Sequence, residues 1–431
     1  GAEIDQDIRT RGGHVRVTAA FNRLLGFAGT VVEKVAFGAT EVVINVRLRS
    51  RVLVCPCGRT SRAAYDRSRR CWRHLDLGRY KTLICAEVRR VDCRGCGRVR
   101  TEWMPFARPG ARHTQDFEDL AVWLAGKMSK TAVAQLLRTS WQTVNDLIGR
   151  RVAAHTDAEL NPDRLDRLTR IGIDEIAYRK GRKFLTIITD HDTGHVVWIW
   201  PGRNQQALIS FLEVLGPRRD NIQAVSMDMG KIYREASRTH LPHATICFDP
   251  FHVIKWAGDA LDQMSLAAPR NGPPLTIEGH TPQTAWRKVR ATLRAAAENL
   301  DPLGHQIINQ LRRKRPQLHR AWQLKERLRR LYRLSNPANA TRHLKRWMTA
   351  AQHSGIPSFI TLAHRISYHV QGITAAVKLG LSNSLTEGIN AGIRLIQRRA
   401  HGYANLNHLT DMIYLCHGGV PTRLPTQPIE T

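Results

Sequence analysis

The middle of the chain is a series of short stretches in which apolar and polar residues alternate, the pattern of β-strands. Helical patterns separate the later stretches. Five strands are predicted in all, IGIDEIAY, KFLTIITD, HVVWIWPG, NIQAVSMD and ATICFDPF, with polar turns at RKGR and HDTG. Two helices are predicted between them, NQQALISFLEVLG before the fourth strand and IYREASRTHL before the fifth.

The order of three strands, helix, strand, helix, strand is that of the RNase H-like fold. In the first strand Ile171 and Ile173 alternate with Asp174, which therefore faces away from the isoleucines. A carboxylate among apolar residues is costly to bury unless a positive charge meets it, and a divalent metal is the natural candidate. The first and fourth strands are neighbours in this fold, so we expect Asp174 and Asp228 to come together.

The stretch before the core, residues 114–153, is predicted to be helical. Apolar residues recur there at i, i+3 and i+4 in two short helices joined by the turn RTS, and Ser129 and Ser140 stand where N-caps belong. This is the pattern of a helix-turn-helix, although a generic helical hairpin would show it too. The residues expected to contact DNA are Gln142, Asn145, Arg150 and Arg151.

After the core, residues 256–378 are poor in strand formers and dense in Arg and Lys, so we expect an inserted helical domain. Its charge is either a solvated face or, as we favour, a contact with DNA phosphates, since charge of one sign repels itself unless something anionic offsets it.

The last patterned stretch is a helix within 382–403. Leu385, Ile389, Ile393 and Ile396 form its apolar stripe. On its other side, Glu387 is expected to be a metal ligand. The expected contacts to DNA on that side are Asn390, Arg394 and Arg398. The alternative for Glu387 is an ordinary exposed glutamate in a helical ion pair.

The composition narrows the choice of partners. The 431 residues carry a net charge of +30 with a pI near 10.8, on a chain that is 42% hydrophobic and therefore able to fold. Such an excess points to a polyanion, most simply nucleic acid. A membrane-surface protein would want an amphipathic anchor or 18 apolar residues in a row, which the sequence lacks. With no signal-peptide pattern either, we expect a cytoplasmic protein that is associated with nucleic acid.

Six of the eight cysteines lie between Cys55 and Cys96, which favours a metal module over a disulfide framework. We expect Cys55, Cys57, Cys93 and Cys96 to hold Zn²⁺ in a ribbon-like module, although the first pair is one residue closer than in a regular knuckle. Cys71 with His74 is a rival ligand pair, and Cys85 is expected in the core. Structural thiols without metal are the other alternative.

Asp174, Asp228 and Glu387 together are what a two-metal phosphoryl-transfer site needs. Mg²⁺ prefers oxygen ligands and keeps positions open for phosphate and water. Two such ions activate the attacking oxygen and stabilise the leaving one. We expect two Mg²⁺ ions, for which Mn²⁺ is an accepted substitute.

These residues resemble those of a known family, the DDE transposases of the ISL3 group of bacterial insertion sequences. The resemblance spans roughly 50–415, in the family's order. It implies a catalytic triad of Asp174, Asp228 and Glu387, and a zinc-binding head and helix-turn-helix that read terminal inverted repeats. The motifs that carry it are CPCG with CRGCG, the helix-turn-helix, IGIDEIAYRKG, VSMDMG, CFDPFHVIKWA and SNSLTEGINAGIRLIQRRAHGY. The departure is CPCG, where such proteins usually have CPxCG.

Three other carboxylates compete for metal. Asp249 precedes Pro250 at the end of the fifth strand, the arrangement of an N-cap and first helical residue, so we interpret it as structural rather than as a ligand. Glu175 alternates to the face opposite Asp174, and Asp190 ends the second strand. Neither is expected to bind metal.

The sequence therefore predicts a transposase that pairs two element ends as a homodimer or higher oligomer, cleaves DNA to a 3′-hydroxyl and joins it to target DNA. The alternatives are a non-catalytic DNA-binding regulator and an RNase H-like structure-specific nuclease. The expected fold is a multidomain α/β protein. Its expected parts are an N-terminal segment (1–45), a zinc module (46–106), a helix-turn-helix domain (107–160), a core in two parts (166–255 and 379–420), the insertion (256–378) and a tail (421–431).

Overall fold

The structure is a computed structural model of the chain. It describes residues 8–10, 13–157, 159–179, 183–267, 275–334, 336–381 and 384–425, with the backbone alone at 8–10, 13–15, 384, 386 and 387. The predicted turn RKGR lies largely outside the described residues, as does the side chain of Glu387.

The described residues form a mixed α/β protein of fourteen strands and fifteen α-helices. The strands are β1 (Ile8–Thr10), β2 (Gly13–Val15), β3 (Thr30–Phe37), β4 (Glu41–Leu48), β5 (Leu53–Val54), β6 (Thr60–Ser61), β7 (Asp66–Leu77), β8 (Tyr80–Cys93), β9 (Arg98–Thr101), β10 (Arg170–Arg179), β11 (Lys183–Asp190), β12 (Val196–Pro201), β13 (Ala224–Met227) and β14 (Thr245–Phe248). The helices are α1 (Val17–Leu25), α2 (Gln115–Lys127), α3 (Lys130–Leu136), α4 (Trp141–Thr156), α5 (Gln206–Leu215), α6 (Lys231–His240), α7 (Pro250–Ala267), α8 (Pro282–Arg294), α9 (Pro302–Lys314), α10 (Pro316–Arg330), α11 (Pro337–Gln352), α12 (Pro357–Tyr368), α13 (Val370–Leu379), α14 (Ser384–Arg399) and α15 (Leu406–His417).

The chain divides into two compact units. The first unit extends to His155 and also includes Arg399–Leu415 and the residues from Val420 onwards. The second unit comprises Thr156–Arg398 and Cys416–Gly419. In this division most of α15 belongs to the first unit and not, as expected, to the second part of the core.

The first unit is built on a sheet in the order β3-β4-β8-β7, and β9 pairs with the C-terminal end of β8. Val42, Ile44, Trp72 and Ile84 fill its core because alternate residues of each strand face the same side. The expected boundary at residue 45 is wrong, since it falls inside β4, which pairs with β8 in parallel. The N-terminal segment and the cysteine-bearing segment thus share one sheet.

The second unit contains a five-stranded sheet in the order β12-β11-β10-β13-β14. The first three strands form an antiparallel meander, and β10, β13 and β14 run parallel. The expected neighbours, the first and fourth strands of this unit, are therefore paired. Ile171 and Ile173 are buried in the core with residues of α5 and α6, as the alternation predicted.

On the opposite face of the sheet, α13 packs against β13 and β14. Ala376 packs against Ala224 and Cys247 there, and Gly372 lies so close to Phe248 that a β-carbon at that position would come within 2.4 Å of the ring. The expected insertion, 256–378, is all-helical where it is described, but its limits are wrong at both ends. The expected start falls inside α7, and the expected end includes α13, which packs on the sheet. A bundle of α7–α12 remains, packed around Leu324, Leu344, Trp347 and Phe359.

None of the helices that the structure describes combines the length and the apolar run needed to cross a membrane.

Candidate active site

Three aspartates align at the carboxyl ends of the parallel strands. Gly172 of β10 pairs with Ser226 of β13, which in turn pairs with Cys247 of β14. The residues two positions further along are Asp174, Asp228 and Asp249. Because side chains alternate with a period of two, these aspartates belong to the same face of the sheet. The register therefore sets Asp174 level with Asp228, the residue that follows β13, and the meeting of their carboxylates stays a prediction.

Asp174 is held by two hydrogen bonds. Its Oδ1 accepts from the backbone N–H of Glu175 at 2.8 Å, and its Oδ2 accepts from Nδ2 of Asn390 at 2.7 Å. Burial raises the pKa of Asp174 in spite of these bonds, and the negative charge of Asp249 raises it further. A bound cation would offset this cost of burial.

Asn390 is on α14, one turn after Glu387, so this contact brings the first turns of the helix to Asp174. The structure shows the Asn390 amide bonded to the carboxylate, and the contact of Asn390 with DNA stays a prediction. The stripe predicted for this helix is confirmed at Ile389, Ile393 and Ile396, which are buried, and Arg394 and Arg398 are exposed as expected.

His252, in the first turn of α7, connects two of the aspartates. Its Nδ1 lies 3.1 Å from Oδ2 of Asp249 and its Nε2 lies 3.9 Å from Oδ2 of Asp228. Burial opposes the charged form of the imidazole, but the hydrogen bond to Asp249 and the charge of Asp228 outweigh it and leave the pKa of His252 raised. The sequence reasoning missed this residue. The i, i+3 spacing of Asp249 and His252 at a helix start was the available signal.

The competing carboxylates have structural partners. Oδ1 of Asp249 accepts a hydrogen bond from the backbone N–H of Phe251 at 3.0 Å, which confirms the predicted cap. Glu175 forms an ion pair with Arg203 at 2.6 Å. Asp190 is buried and accepts a hydrogen bond from Thr193 Oγ1 at 2.6 Å.

His191 and Ser226 lie next to each other beside Gly172, two residues before Asp174. His191 Nε2 lies 2.6 Å from Ser226 Oγ. A β-carbon on Gly172 would come within 2.9 Å of His191 Nε2, so a side chain at that position would displace the imidazole. The glycine two residues before Asp174 therefore keeps this pair in place.

The four predicted zinc ligands converge in the first unit. The sulfur atoms of Cys55, Cys57, Cys93 and Cys96 lie within 4.8 Å of one another, the only group of three or more metal-ligating side chains this close among the described residues. The Cys55–Cys96 and Cys57–Cys93 Sγ distances are 3.8 and 3.6 Å. Tetrahedral Zn²⁺ with Zn–S bonds of about 2.3 Å separates sulfurs by about 3.8 Å, so the donor set fits zinc.

The short spacing of Cys55 and Cys57 does not prevent this convergence, because the β5–β6 turn carries both thiols. A hydrogen bond from the backbone of Arg59 lowers the pKa of Cys57 to about 6, which favours the thiolate that binds metal. The rival pair is excluded. Cys71 forms a disulfide with Cys85 across β7 and β8, and the buried His74 bonds instead to Thr114 Oγ1 at 2.8 Å.

The predicted helix-turn-helix is formed by α3 and α4, and the expected caps are present. Ser129 Oγ accepts from the N–H of Ala132, and Ser140 Oγ accepts from the N–H of Thr143. The turn includes Arg138 in the left-handed region at φ 50°, anchored by its ion pair with Asp76.

The four predicted DNA-contacting residues of α4 do not all face solvent. Gln142 is exposed, but Asn145 is buried at 6% exposure. Its Oδ1 accepts a hydrogen bond from Nζ of Lys130 at 2.6 Å, so its assignment to a DNA groove is wrong. The two arginines are paired within the unit, Arg150 with Glu118 and Arg151 with Asp119.

Part of the positive charge of the insertion has internal partners. Lys325 is buried and donates to the carbonyl oxygens of Leu293 and Ala295 at 2.6 and 2.7 Å. Arg329 pairs with Glu298 at 2.7 Å. Other cations are exposed to solvent, among them Arg312, Arg313, Arg327, Arg330, Lys345 and Arg346.

The chain matches two family models. Residues 171–413, more than half of the chain, match the model of the ISL3-type DDE family described as "Transposase", and residues 104–152 match the "Helix-turn-helix domain of transposase family ISL3". The helix-turn-helix and the carboxylate-bearing core are thus those of a DNA-binding transposase. The chain belongs to the ISL3 family of transposases.

Two relatives are similar over nearly their whole lengths. One is the transposase for insertion sequence element IS1557 of Mycobacterium tuberculosis, 35% identical over 95% of this chain and 98% of the relative. The other is the transposase for insertion sequence element IS1001 of Bordetella parapertussis, 28% identical over 88% of this chain and 93% of the relative. Of the three functions that the sequence left open, the insertion-sequence transposase is confirmed.

Proposed function

We propose that this transposase binds the terminal inverted repeats of its own element, pairs two ends as a homodimer or higher oligomer, and cuts and joins DNA at a site formed by Asp174, Asp228 and Glu387. The observation that carries the proposal is the parallel pairing of β10 with β13, which sets Asp174 level with Asp228 just after β13, beside a helix that is hydrogen-bonded to Asp174 through Asn390. Glu387 precedes Asn390 by three residues, which is one turn of that helix.

The sheet order supports an RNase H-like core. An antiparallel meander whose first strand continues into two parallel strands, β10-β13-β14, is the strand order that we expected for this fold. The catalytic aspartates then occupy the edge at which ligands bind in open α/β sheets, the carboxyl ends of the parallel strands.

The carboxylates fit hard divalent cations. Asp174, Asp228 and Glu387 would hold two Mg²⁺ ions, and a buried Asp174 with a raised pKa is a group whose charged form a cation stabilises. Bound there, the ions would activate an attacking oxygen and stabilise the leaving oxygen of a phosphodiester. Asn390 keeps the Asp174 carboxylate oriented, and His252 holds Asp249 beside Asp228.

The proposed reaction consists of two phosphoryl-transfer steps. Water attacks the phosphodiester at the element end, the P–O3′ bond breaks, and a 3′-hydroxyl is released. That hydroxyl attacks a phosphodiester of target DNA and displaces the 3′-oxygen there. Arg394 and Arg398, exposed on α14, would contact the phosphates, and the exposed cations of the α7–α12 bundle would hold flanking DNA.

The first unit would supply sequence recognition. Four converging thiolates around Zn²⁺ would fix the β5–β6 turn and the end of β8, and Gln142 would face the groove from α4. Because Arg150 and Arg151 are paired with acids, we assign them to holding α4 on α2 rather than to reading bases.

The test is strand cleavage and joining on a terminal-repeat oligonucleotide with Mg²⁺. We expect Asp174→Asn, Asp228→Asn and Glu387→Gln each to lose at least 10³-fold in rate while retaining repeat binding, the order of loss seen when essential groups are removed. Asp220→Asn is the matched control, since its side chain is 76% exposed. Full activity of Asp228→Asn together with loss in Asp249→Asn would show that the assignment of the second aspartate is wrong.

A further inference from the structure

A tyrosine protrudes from the insertion near the proposed metal site. Tyr368, the last residue of α12, is 74% exposed, more than any other aromatic side chain among the described residues. Arg365, three residues earlier, is exposed on the same side of the helix. A single exposed ring is ordinary on a protein surface, so its meaning depends on the charged groups around it.

The contacts of α12 place this pair against α7 and the end of β14, the elements on either side of Asp249. The guanidinium of Arg365 lies 3.3 Å from the ring centroid of Trp256, on the helix that begins directly after Asp249. His369, next to Tyr368, packs edge-on against Phe248 at the end of β14, with ring centroids 5.0 Å apart. Burial lowers the pKa of Arg365, and the negative charge of Asp228 opposes that shift, as charges close in space do.

A second arginine lies beneath the ring. Arg234 of α6 is only 6% exposed, and its guanidinium carbon lies 5.7 Å from the ring centroid of Tyr368. Its Nε is buried without a hydrogen-bond partner, and the described residues offer the side chain no ion pair. A buried cation without a counter-charge is costly, so this position favours an anion nearby.

We infer that Tyr368 and Arg365 hold the nucleotide that flanks the scissile phosphate, with the Tyr368 ring stacked on its base and Arg365 against its phosphate. Arg234 supports the ring from below through a cation–π contact. The inference rests on the proposed function, since it needs DNA at Asp228. Every base has a π face, so such a platform accepts any sequence at that position.

A nucleotide fits this surface better than a protein segment does. The surface combines an exposed ring with two arginines, and unpaired DNA at a cleavage point offers a flat base and a negative charge within one nucleotide. Unpairing the base would expose the phosphodiester to the carboxylates. Stacking of the base on the Tyr368 ring would offset the free-energy cost of that unpairing. Tyr368 and Arg365 are therefore positioning residues and not catalytic ones.

The experiment uses the full chain and a duplex terminal-repeat oligonucleotide with Mg²⁺, either fully paired or with a mismatch at the flanking nucleotide. We expect Tyr368→Ala to slow cleavage of the paired duplex by about 10-fold or more, the loss of one stacked base. The mismatched duplex, already unpaired, should recover most of that rate. Tyr368→Phe, which keeps the ring, should restore cleavage. Val214→Ala, at an exposed apolar residue of α5, is the control.

A second readout is 2-aminopurine at the flanking position, whose fluorescence falls when it stacks. Wild type and Tyr368→Phe should quench it on binding, and Tyr368→Ala should not. Arg365→Gln should lower the salt dependence of binding by about one phosphate contact. Equal cleavage and equal quenching by wild type and Tyr368→Ala would overturn the inference. If wild type left the repeat uncut, the proposed function itself would fail, which is a different result.

Discussion

Nδ2 of Asn390 donates a hydrogen bond to Oδ2 of Asp174 at 2.7 Å, joining two residues that are 216 positions apart in the chain. The bond ties the helix that carries Glu387 to the strand that carries the first aspartate. It also restricts the carboxylate to one orientation, because the other oxygen is held by the backbone of Glu175.

Removing this bond should lower activity without abolishing DNA binding. We expect Asn390→Ala to reduce the cleavage rate by about 10- to 100-fold, the usual cost of losing a group that orients a metal ligand. The rate is measured at saturating repeat DNA over a range of Mg²⁺ concentrations, and the Mg²⁺ requirement should rise. Asn407→Ala makes the same change at an exposed position of α15. It should leave the cleavage rate and the Mg²⁺ requirement unchanged. Wild-type Mg²⁺ dependence in Asn390→Ala would contradict this role.

Gln142 and Asn145 should behave differently although both are on α4. Gln142→Ala should alter base preference at one position of the repeat by about 1–3 kcal/mol, because an exposed glutamine reads base edges. Asn145→Ala should destabilise the fold by about 1–3 kcal/mol, because the buried Nζ of Lys130 loses its acceptor. Selection from randomised repeats and urea unfolding separate the two effects. A changed base preference in Asn145→Ala with unchanged stability would refute the structural role.

The cysteine site should make the first unit dependent on zinc. We expect about one zinc ion per chain, bound by the tetrahedral thiolate set. Cys57→Ser and Cys93→Ser should each lower the zinc content and weaken repeat binding, and a chelator should do the same to wild type. Metal content is measured by mass spectrometry. Cys416→Ser, outside the cluster, should retain zinc; equal zinc content in all three variants would argue against the site.

His74 should make the fold sensitive to acid. Burial and, to a smaller extent, the charge of Arg73 lower the pKa of its imidazole from an ordinary 6.5 to about 4. The unfolded chain therefore binds the proton more tightly, so stability is complete above pH 6.5 and falls as the pH drops from 6.5 to 4. The loss amounts to about 3 kcal/mol. Urea unfolding of wild type and His74→Gln from pH 7.5 to 4.5 measures it. The free energy of unfolding should fall more in the wild type than in His74→Gln. Parallel pH dependences of the two proteins would show that His74 is not the source of the acid sensitivity.

Local patterns were enough to predict the strands and helices of the core, the helix-turn-helix and the face of β10 on which Asp174 lies. The alternation around Ile171 and Ile173 indicates a strand with Asp174 on its other face, and the chain order of strands and helices makes β10 and β13 neighbours. The caps at Ser129 and Ser140 were equally readable, because an N-cap depends only on residues within one turn.

Partners that are distant in the chain were decided by tertiary structure alone. The register of β7 and β8 sets Cys71 opposite Cys85, so that a proposed metal ligand is in a disulfide. The packing of α3 on α4 buries Asn145 against Lys130, and the approach of α14 to the sheet gives Asn390 to Asp174. Hydrophobic periodicity states which face of an element is buried. It does not state which element covers that face, and this choice determines which polar groups meet.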